Sequence, residues 1–453
     1  MPAELVQEFD EIALGDERLD ERARQLLDAL SAAPDAPLAD ACGSPAATKA
    51  AHRFFENPRV TPEGLIEPHA VRTAERCEGH PVVLAPQDVT DIDFTGRKMD
   101  GLGHLERKHM RGILVNTGLF VLPSGEVLGI AYQEAWARDV KKLGISAERA
   151  KRAFEEKESA RWPRAEQQMA EVLAGTSRLV VIADREGDIF EWIAAPRPER
   201  VDRLVRARHD RLVVGQGKLL SEVARQLPAV AEMDVDVRRA DERPARTAHL
   251  IVRAGPVALA RPKKLGKGSS ADCWCVVAEE LTPPEGAKPI FWVLLLSWAV
   301  TCPEEAVEAV RWYAQRWLVE RFHFTLKSGC KVEEIQPGSA DRLYREVAMR
   351  SVVAAMVLRL TLAARTQPDA PCSLVLDEVE WKALYCRVHK TMSAPEKPPT
   401  LREAVHMIAR LGGFSGYKSA GEPGVKLVWQ GLRRLSESVE MYAIAVHSGY
   451  GPA

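Results

Sequence analysis

Tyr313-Ala314-Gln315-Arg316-Trp317-Leu318-Val319-Glu320-Arg321-Phe322-His323-Phe324-Thr325-Leu326-Lys327 is the stretch on which the reading of this chain turns. It lies in a segment from about 303 to 328 that has no Gly, and no Pro after Pro303, which predicts one helix over Pro303–Ser328. At about 3.6 residues per turn, such a helix puts Arg316, Glu320 and Lys327 in one narrow arc with Tyr313 beside them. A phenol, two cations and a carboxylate then share a stripe. Most charged stripes are solvated helix faces, so this one acquires chemical meaning only if Glu320 has partners elsewhere.

The chain of 453 residues has material for roughly two to four domains. With 46% hydrophobic and 28% charged residues it has the composition of an ordinary globular protein. No apolar run follows Met1-Pro2-Ala3-Glu4, and runs such as Phe291 to Ala299 are too short to cross a bilayer. A cytoplasmic protein is the expectation. The cysteines are scattered without a Cys-x-x-Cys pair, which favours reduced thiols over a zinc site. A net charge of −2 excludes a globally basic DNA coat but not local basic surfaces. Three such clusters are Arg97, Lys98, Arg107, Lys108, His109 and Arg111; then Arg206, Arg208, His209 and Arg211; then Arg261, Lys263, Lys264 and Lys267. Singly, each reads as a solvated loop.

Residues 4–68 read as short helices, the clearest start being Ser44-Pro45, a cap followed by Pro in the first turn. That helix carries Lys49, His52 and Arg53 close together, with Phe54-Phe55 as its anchor, and suits either DNA recognition or a plain bundle. From His80 the pattern becomes strands: Pro81 to Asp88 continuing to Phe94, Arg111 to Leu122, and Val127 to Ala135 after the turn Pro123-Ser124-Gly125. A helix over Ser146–Leu173 precedes the strand Arg178 to Asp184, and Arg185 to Phe190 begins another helix. Residues 195–297 read as a strand-rich insertion, distinct from the alternating core. Helices follow over Asp341–Arg365, Leu401–Leu411 and Leu427–Ile444, the last two amphipathic and suited to packing or dimerisation.

Two apolar strands thus end in aspartate, at Asp88 and Asp184, and a helical Glu320 lies far downstream. If the strands are neighbours and the helix lies on their sheet, the three carboxylates converge. Mg²⁺ takes oxygen ligands, few of them from protein, together with waters and substrate phosphate. Three carboxylates can hold two such ions across a phosphodiester, and without metal they would repel. Each has a plainer reading too. Asp88 can cap a turn, with Asp91 or Asp93 as the functional acid instead, and Asp184 can be a helix cap with Glu186 and Asp188 in the first turn.

The Tyr-x-x-Arg-x-x-x-Glu-x-x-x-x-x-x-Lys spacing from Tyr313 to Lys327 resembles the signature of bacterial cut-and-paste transposases of the insertion sequence four family. Gln87-Asp88-Val89-Thr90 resembles that family's first-aspartate segment, and Asp184-Arg185-Glu186-Gly187-Asp188-Ile189 its second. Leu14-Gly15-Asp16-Glu17-Arg18, His52-Arg53-Phe54 with Asn57-Pro58, and Ile408-Ala409-Arg410-Leu411-Gly412-Gly413-Phe414 resemble family motifs near the two ends, so the likeness spans nearly the whole chain. Asn116 stands where the family leads one to expect His, and Phe324 where one expects Lys beside His323.

The resemblance implies an α/β protein with a ribonuclease-H-like catalytic core and a β-rich insertion, flanked by N-terminal and C-terminal helical domains. It implies a DNA-end recognition domain over 1–70, a catalytic domain over 71–370 with its insertion at 195–297, and a dimerisation domain over 371–453. Asp88, Asp184 and Glu320 would bind two Mg²⁺ ions, with Mn²⁺ able to substitute. Tyr313, Arg316 and Lys327 would grip DNA phosphates. Trp292, assisted by Trp317, would stack on a flipped base, and His323, Arg206, Lys49, His52 and Arg53 complete the expected DNA contacts. The expected partners are double-stranded DNA, as transposon ends and as target, and a second copy of the chain. The expected reaction is transposition; a metal-dependent nuclease without strand transfer and a non-catalytic repressor are the other readings.

Overall fold

The computed structural model describes residues 7–107, 109–139, 153–175, 177–237, 245–417 and 421–447. Four helices open the chain: α1 (Glu17–Ala32), α2 (Leu38–Cys42), α3 (Pro45–Glu56) and α4 (Pro62–Glu75). Asp16, Ser44 and Thr61 cap α1, α3 and α4 by accepting backbone N–H groups. Strands β1 (Val82–Asp93), β2 (Gly103–His104), β3 (Arg111–Val121) and β4 (Val127–Trp136) follow, then α5 (Arg161–Val172), β5 (Arg178–Ala183), α6 (Phe190–Ala194), β6 (Val201–Arg206) and α7 (Leu220–Gln226). Next come β7 (Ala229–Val237), β8 (Arg246–Leu259), β9 (Ala271–Glu279) and β10 (Phe291–Leu296). The chain ends in helices α8 (Pro303–Ala314), α9 (Trp317–Phe324), α10 (Ala340–Thr366), α11 (Glu378–His389), α12 (Leu401–Leu411) and α13 (Val425–His447).

These elements form two compact units that do not follow chain order. One comprises Gly79–Asp88 with Ile145–Trp317, the other Met1–Glu78, Val89–Gly144 and Leu318–Ala453. In the first, the N-terminal half of β1 pairs parallel with β5, and β5 parallel with β6. Val83, Leu84, Val180, Val181 and Ile182 are completely buried, the continuous apolar runs that parallel strands covered on both faces require. Glu166 of α5 is fixed by Arg203 of β6, at 2.6 and 2.7 Å, and by the Trp192 indole N–H at 3.0 Å. A bidentate guanidinium satisfies that buried carboxylate. In the second unit β3 and β4 form an antiparallel hairpin, and α4 and α10 pack on β4. α10 is long and apolar enough to cross a bilayer, but 89% of its apolar window is buried inside the protein.

Because β1 runs through both units, the strand order reads β4-β3-β1-β5-β6, with β1, β5 and β6 parallel, and β10-β9-β8-β7 continue antiparallel beyond β6. That is the order of a ribonuclease-H-like α/β core, as the sequence led us to expect. Three local readings need correction. β6, inside the range read as insertion, is a core strand, and the strands after it extend the same sheet. The helix expected after Asp184 is a 3-10 turn over Arg185–Gly187 followed by the five-residue α6. The single helix expected over Pro303–Ser328 is broken: backbone N–H groups of Gln315 and Arg316 bond back three residues to Trp312 and Tyr313, closing a tighter turn that ends α8. Thr325–Gly329 then adopts a π turn after α9. Of the helix expected over Ser146–Leu173, residues 146–152 lie outside the described residues, as does Lys108 of the first basic cluster.

Candidate active site and nucleic-acid interface

The register of β1 on β5 builds the site. Gln87 pairs with Ala183, so Asp88 and Asp184 are the next residue on each of two adjacent parallel strands. Strands lie about 4.8 Å apart and equivalent positions face the same side, which puts the two carboxylates at neighbouring positions where the β1–β5 pairing ends. Both are half-buried. Asp184 Oδ1 accepts the Glu186 backbone N–H at 2.7 Å, so it also caps the following turn. The plainer reading of Asp184 as a cap is therefore correct without displacing the other.

Around this pair the same unit gathers four of the expected DNA contacts. Arg316, placed by the broken helix, reaches Asp88 Oδ2 at 3.5 Å. Tyr313 is 3% exposed and meets Trp292 edge-to-face, ring centroids 5.0 Å apart at 69°. Burial pushes the Tyr313 phenol above its ordinary value, while Arg316 and a hydrogen bond from Arg206 pull it back and Asp184 pushes it up again. Arg206, Asp184, Arg316 and Tyr313 are thus electrostatic neighbours. Arg206, an expected DNA contact from the second basic cluster, ends β6. Trp317 is half-buried at the start of α9.

The remaining expected residues lie in the other unit. Glu320 is exposed on the first turn of α9. Lys327 lies 3.4 Å from Asp91 and 3.3 Å from Glu333. Glu333 also accepts the Asp93 backbone N–H at 3.1 Å, and Asp93 caps Thr95 at 2.8 Å. The alternatives Asp91 and Asp93 are therefore a lysine partner and a turn cap; Glu333, which sequence reasoning missed, is what holds Lys327 beside them. His323 is 6% exposed, with its ring against Phe322. The turn of α9 that exposes Glu320 and Phe324 carries His323 inward. Lys49, His52 and Arg53 do come together, along one wall of an open cavity of about 900 Å³ beside the α3 start.

Among the described residues no three His, Cys, Asp or Glu side chains form a ready metal cage. Asp88 and Asp184 nonetheless fit a divalent ion chemically, as two carboxylate donors at one register position. That is the sparse protein contribution Mg²⁺ accepts when waters and phosphate supply the rest. Asp188, by contrast, is structural. It is 2% exposed, pairs with Arg211, and accepts the backbone N–H groups of Arg208 and His209 at 2.6 and 2.7 Å.

Two family models match the chain: transposase DNA-binding over residues 4–60, which includes Lys49, His52 and Arg53, and the transposase Tn5 dimerisation domain over residues 352–449. A cryo-EM structure of a piggyBac transposase synaptic complex with hairpin DNA aligns over 99% of this chain and 80% of that one, at 10% identity and a TM-score of 0.36. A likeness at that level carries no weight for function. A region that matches a transposase DNA-binding domain thus precedes the mixed sheet in sequence, and one that matches the Tn5 transposase dimerisation domain follows it, which supports a Tn5-like DNA transposase.

Proposed function

We propose that this transposase cuts the ends of its element and joins them to target DNA at Asp88, Asp184 and Glu320. The observation that carries the reading is the β1–β5 register, which sets Asp88 beside Asp184 with Arg206, Tyr313, Arg316 and Trp292 gathered around them. The three carboxylates would hold Mg²⁺, which when bound supplies an activated attacking oxygen and a neutralised leaving oxygen. Arg316 and Lys327 hold phosphates, Arg316 through a planar fork and Lys327 as a point charge. The Tyr313 hydroxyl, kept protonated by burial, donates to a phosphate oxygen, and the Trp292 face takes an unstacked base. Water attacks the phosphodiester at the element's end and frees a 3′ hydroxyl. That hydroxyl attacks the opposite strand to close a hairpin, a second water reopens it, and the 3′ hydroxyl then attacks target DNA. Residues 1–70 read the ends, and residues 371–453 pair two copies of the chain.

Incubating the purified protein with plasmid carrying the element's terminal inverted repeats, in Mg²⁺ or in EDTA, tests this. Mg²⁺-dependent cleavage and joining at the repeats is the expected result. Random nicking would establish a nuclease without strand transfer, and retarded but uncut DNA a repressor.

A further inference from the structure

The insertion brings together two basic clusters that are far apart in sequence. Backbone bonds from Ala260 to Leu212 and from Val214 to Ala258, each 2.8 Å, lay residues 212–214 along the end of β8, close after Arg208 and His209. Arg208 and His209 on one segment and Lys263, Lys264 and Lys267 on the other are all exposed. Among the described residues, no ion pair engages the side chains of Arg208, Lys263, Lys264 and Lys267. Two acids beside Arg208 in sequence or space are engaged elsewhere: Asp188 is buried with Arg211, and Asp210 accepts from the Ser221 N–H and hydroxyl at 2.8 and 2.6 Å. The His209 imidazole is pulled below its ordinary value first by desolvation and then by Arg211, Arg208 and Lys264, against the opposing pull of Asp188.

The surface is also held in place. Arg261 lies over the Phe190 ring at 5.7 Å and donates to Leu265 O at 3.3 Å, and Gly266, at φ +72°, ends the turn Lys263–Leu265 with a conformation few other residues adopt. Asp188 ties Arg208 and His209 to the loop that carries Asp184. Arg206, the Tyr313 partner, is two residues from Arg208. A positive track therefore leads from the Asp88–Asp184 pair outward along one unit.

The geometry points to a second DNA surface: Arg208, His209, Lys263, Lys264 and Lys267 hold the phosphates of duplex leaving the cut site, without reading its sequence. Lysines on a turn offer mobile point charges, which position a backbone and cannot distinguish base edges. DNA is favoured over another polyanion because the track begins at the residues proposed to cut DNA, and to that extent the inference rests on the proposed site.

The test is the salt dependence of duplex binding, in EDTA, for wild type and the triple variant Lys263→Gln, Lys264→Gln, Lys267→Gln. End-repeat and scrambled duplexes are compared, with the melting temperature confirming the fold. Each lost phosphate contact lowers the magnitude of the slope of log K against log salt by about 0.9, so a fall of about 2 to 3 is expected for both duplexes. The corresponding triple Lys→Arg variant should keep the wild-type slope. An unchanged slope in the Gln variant overturns the inference. So does an unchanged slope together with lost binding to vesicles of anionic lipid, which would assign the ridge to a membrane. Without divalent ions nothing is cut, so a wrong assignment of Asp88 or Glu320 would leave this readout unaffected.

Discussion

Arg316 Nη1 stands 3.5 Å from Asp88 Oδ2, each side chain 17% exposed. A guanidinium proposed to hold phosphate thus rests against a carboxylate proposed to hold metal, neutralising it when neither ligand is there. Half-buried pairs of this kind contribute modestly, so a double-mutant cycle with Arg316→Met and Asp88→Asn should show a coupling of about 0.5 to 1 kcal/mol in denaturant unfolding. Both single variants should lose DNA cleavage by far more than that energy explains. A coupling near zero would show that the contact does no structural work.

Tyr313 gives a pH signature. Its phenol is raised by burial, so it contributes stability that is fully present below the ordinary value of 10.0 and is lost as pH rises through the higher folded value. Alkaline unfolding of Tyr313→Phe should therefore begin at higher pH than that of wild type, and the variant's tyrosinate absorbance titration should lack a late-ionising ring. The Phe variant keeps the edge contact with Trp292 while losing the hydroxyl, so cleavage should fall with little change in melting temperature near neutral pH.

Glu8 gives the opposite sign. It is wholly buried between His69, whose Nδ1 donates at 2.5 Å, and Arg76, while His69 Nε2 accepts the Ile130 backbone N–H at 3.0 Å. Burial pushes the Glu8 carboxyl up, but His69 and Arg76 together outweigh it and the net value lies below 4.5. Its stabilisation is present above about pH 4.5 and lost as pH falls through the folded value. Glu8→Ala, which leaves His69 and Arg76 without their acceptor, should cost on the order of 3 kcal/mol at neutral pH. Urea unfolding of wild type and variant at pH 7 and pH 4 checks both the size and the convergence.

The C-terminal helices approach closely enough to exclude side chains. A Cβ at Gly431 on α13 would fall 1.8 Å from Ile408 O of α12, and one at Gly412 would fall 1.9 Å from Leu427 O. Gly431→Ala must push the helices apart at a cost of about 1 to 3 kcal/mol, and should lower both the melting temperature and the fraction of paired copies in sedimentation. An equal change at Gly424, with open space around it, should do neither.

Much of this was legible in residue order, because apolar runs ending in aspartate write parallel strands and their C-terminal edge directly. Val82 to Asp88 and Arg178 to Asp184 were readable for that reason, as was the basic face of α3 from its Ser-Pro start. The break at Gln315–Arg316 was not, since neither Gly nor Pro marks it and the turn closes through backbone bonds alone. Strand β6 was hidden by the Pro and Arg residues around it; its core position comes from pairing with β5. The burial of His323 was not legible, because a signature fixes spacing along the chain, whereas the side a residue faces depends on where α9 begins. Phe324, where the family suggests Lys, instead approaches Trp429 of α13 at 6.4 Å and lies under Arg321 at 5.3 Å.

The most direct test of the central claim is single-turnover cleavage of a pre-bound end duplex by Asp88→Asn, Asp184→Asn and Glu320→Gln in Mg²⁺, with binding measured alongside. The account predicts that each variant still binds the duplex and that each loses cleavage by at least about 10³-fold, as expected when a group acting on the transition state is removed. If any one of the three cleaves at the wild-type rate, the assignment of that carboxylate, and of the triad with it, is contradicted.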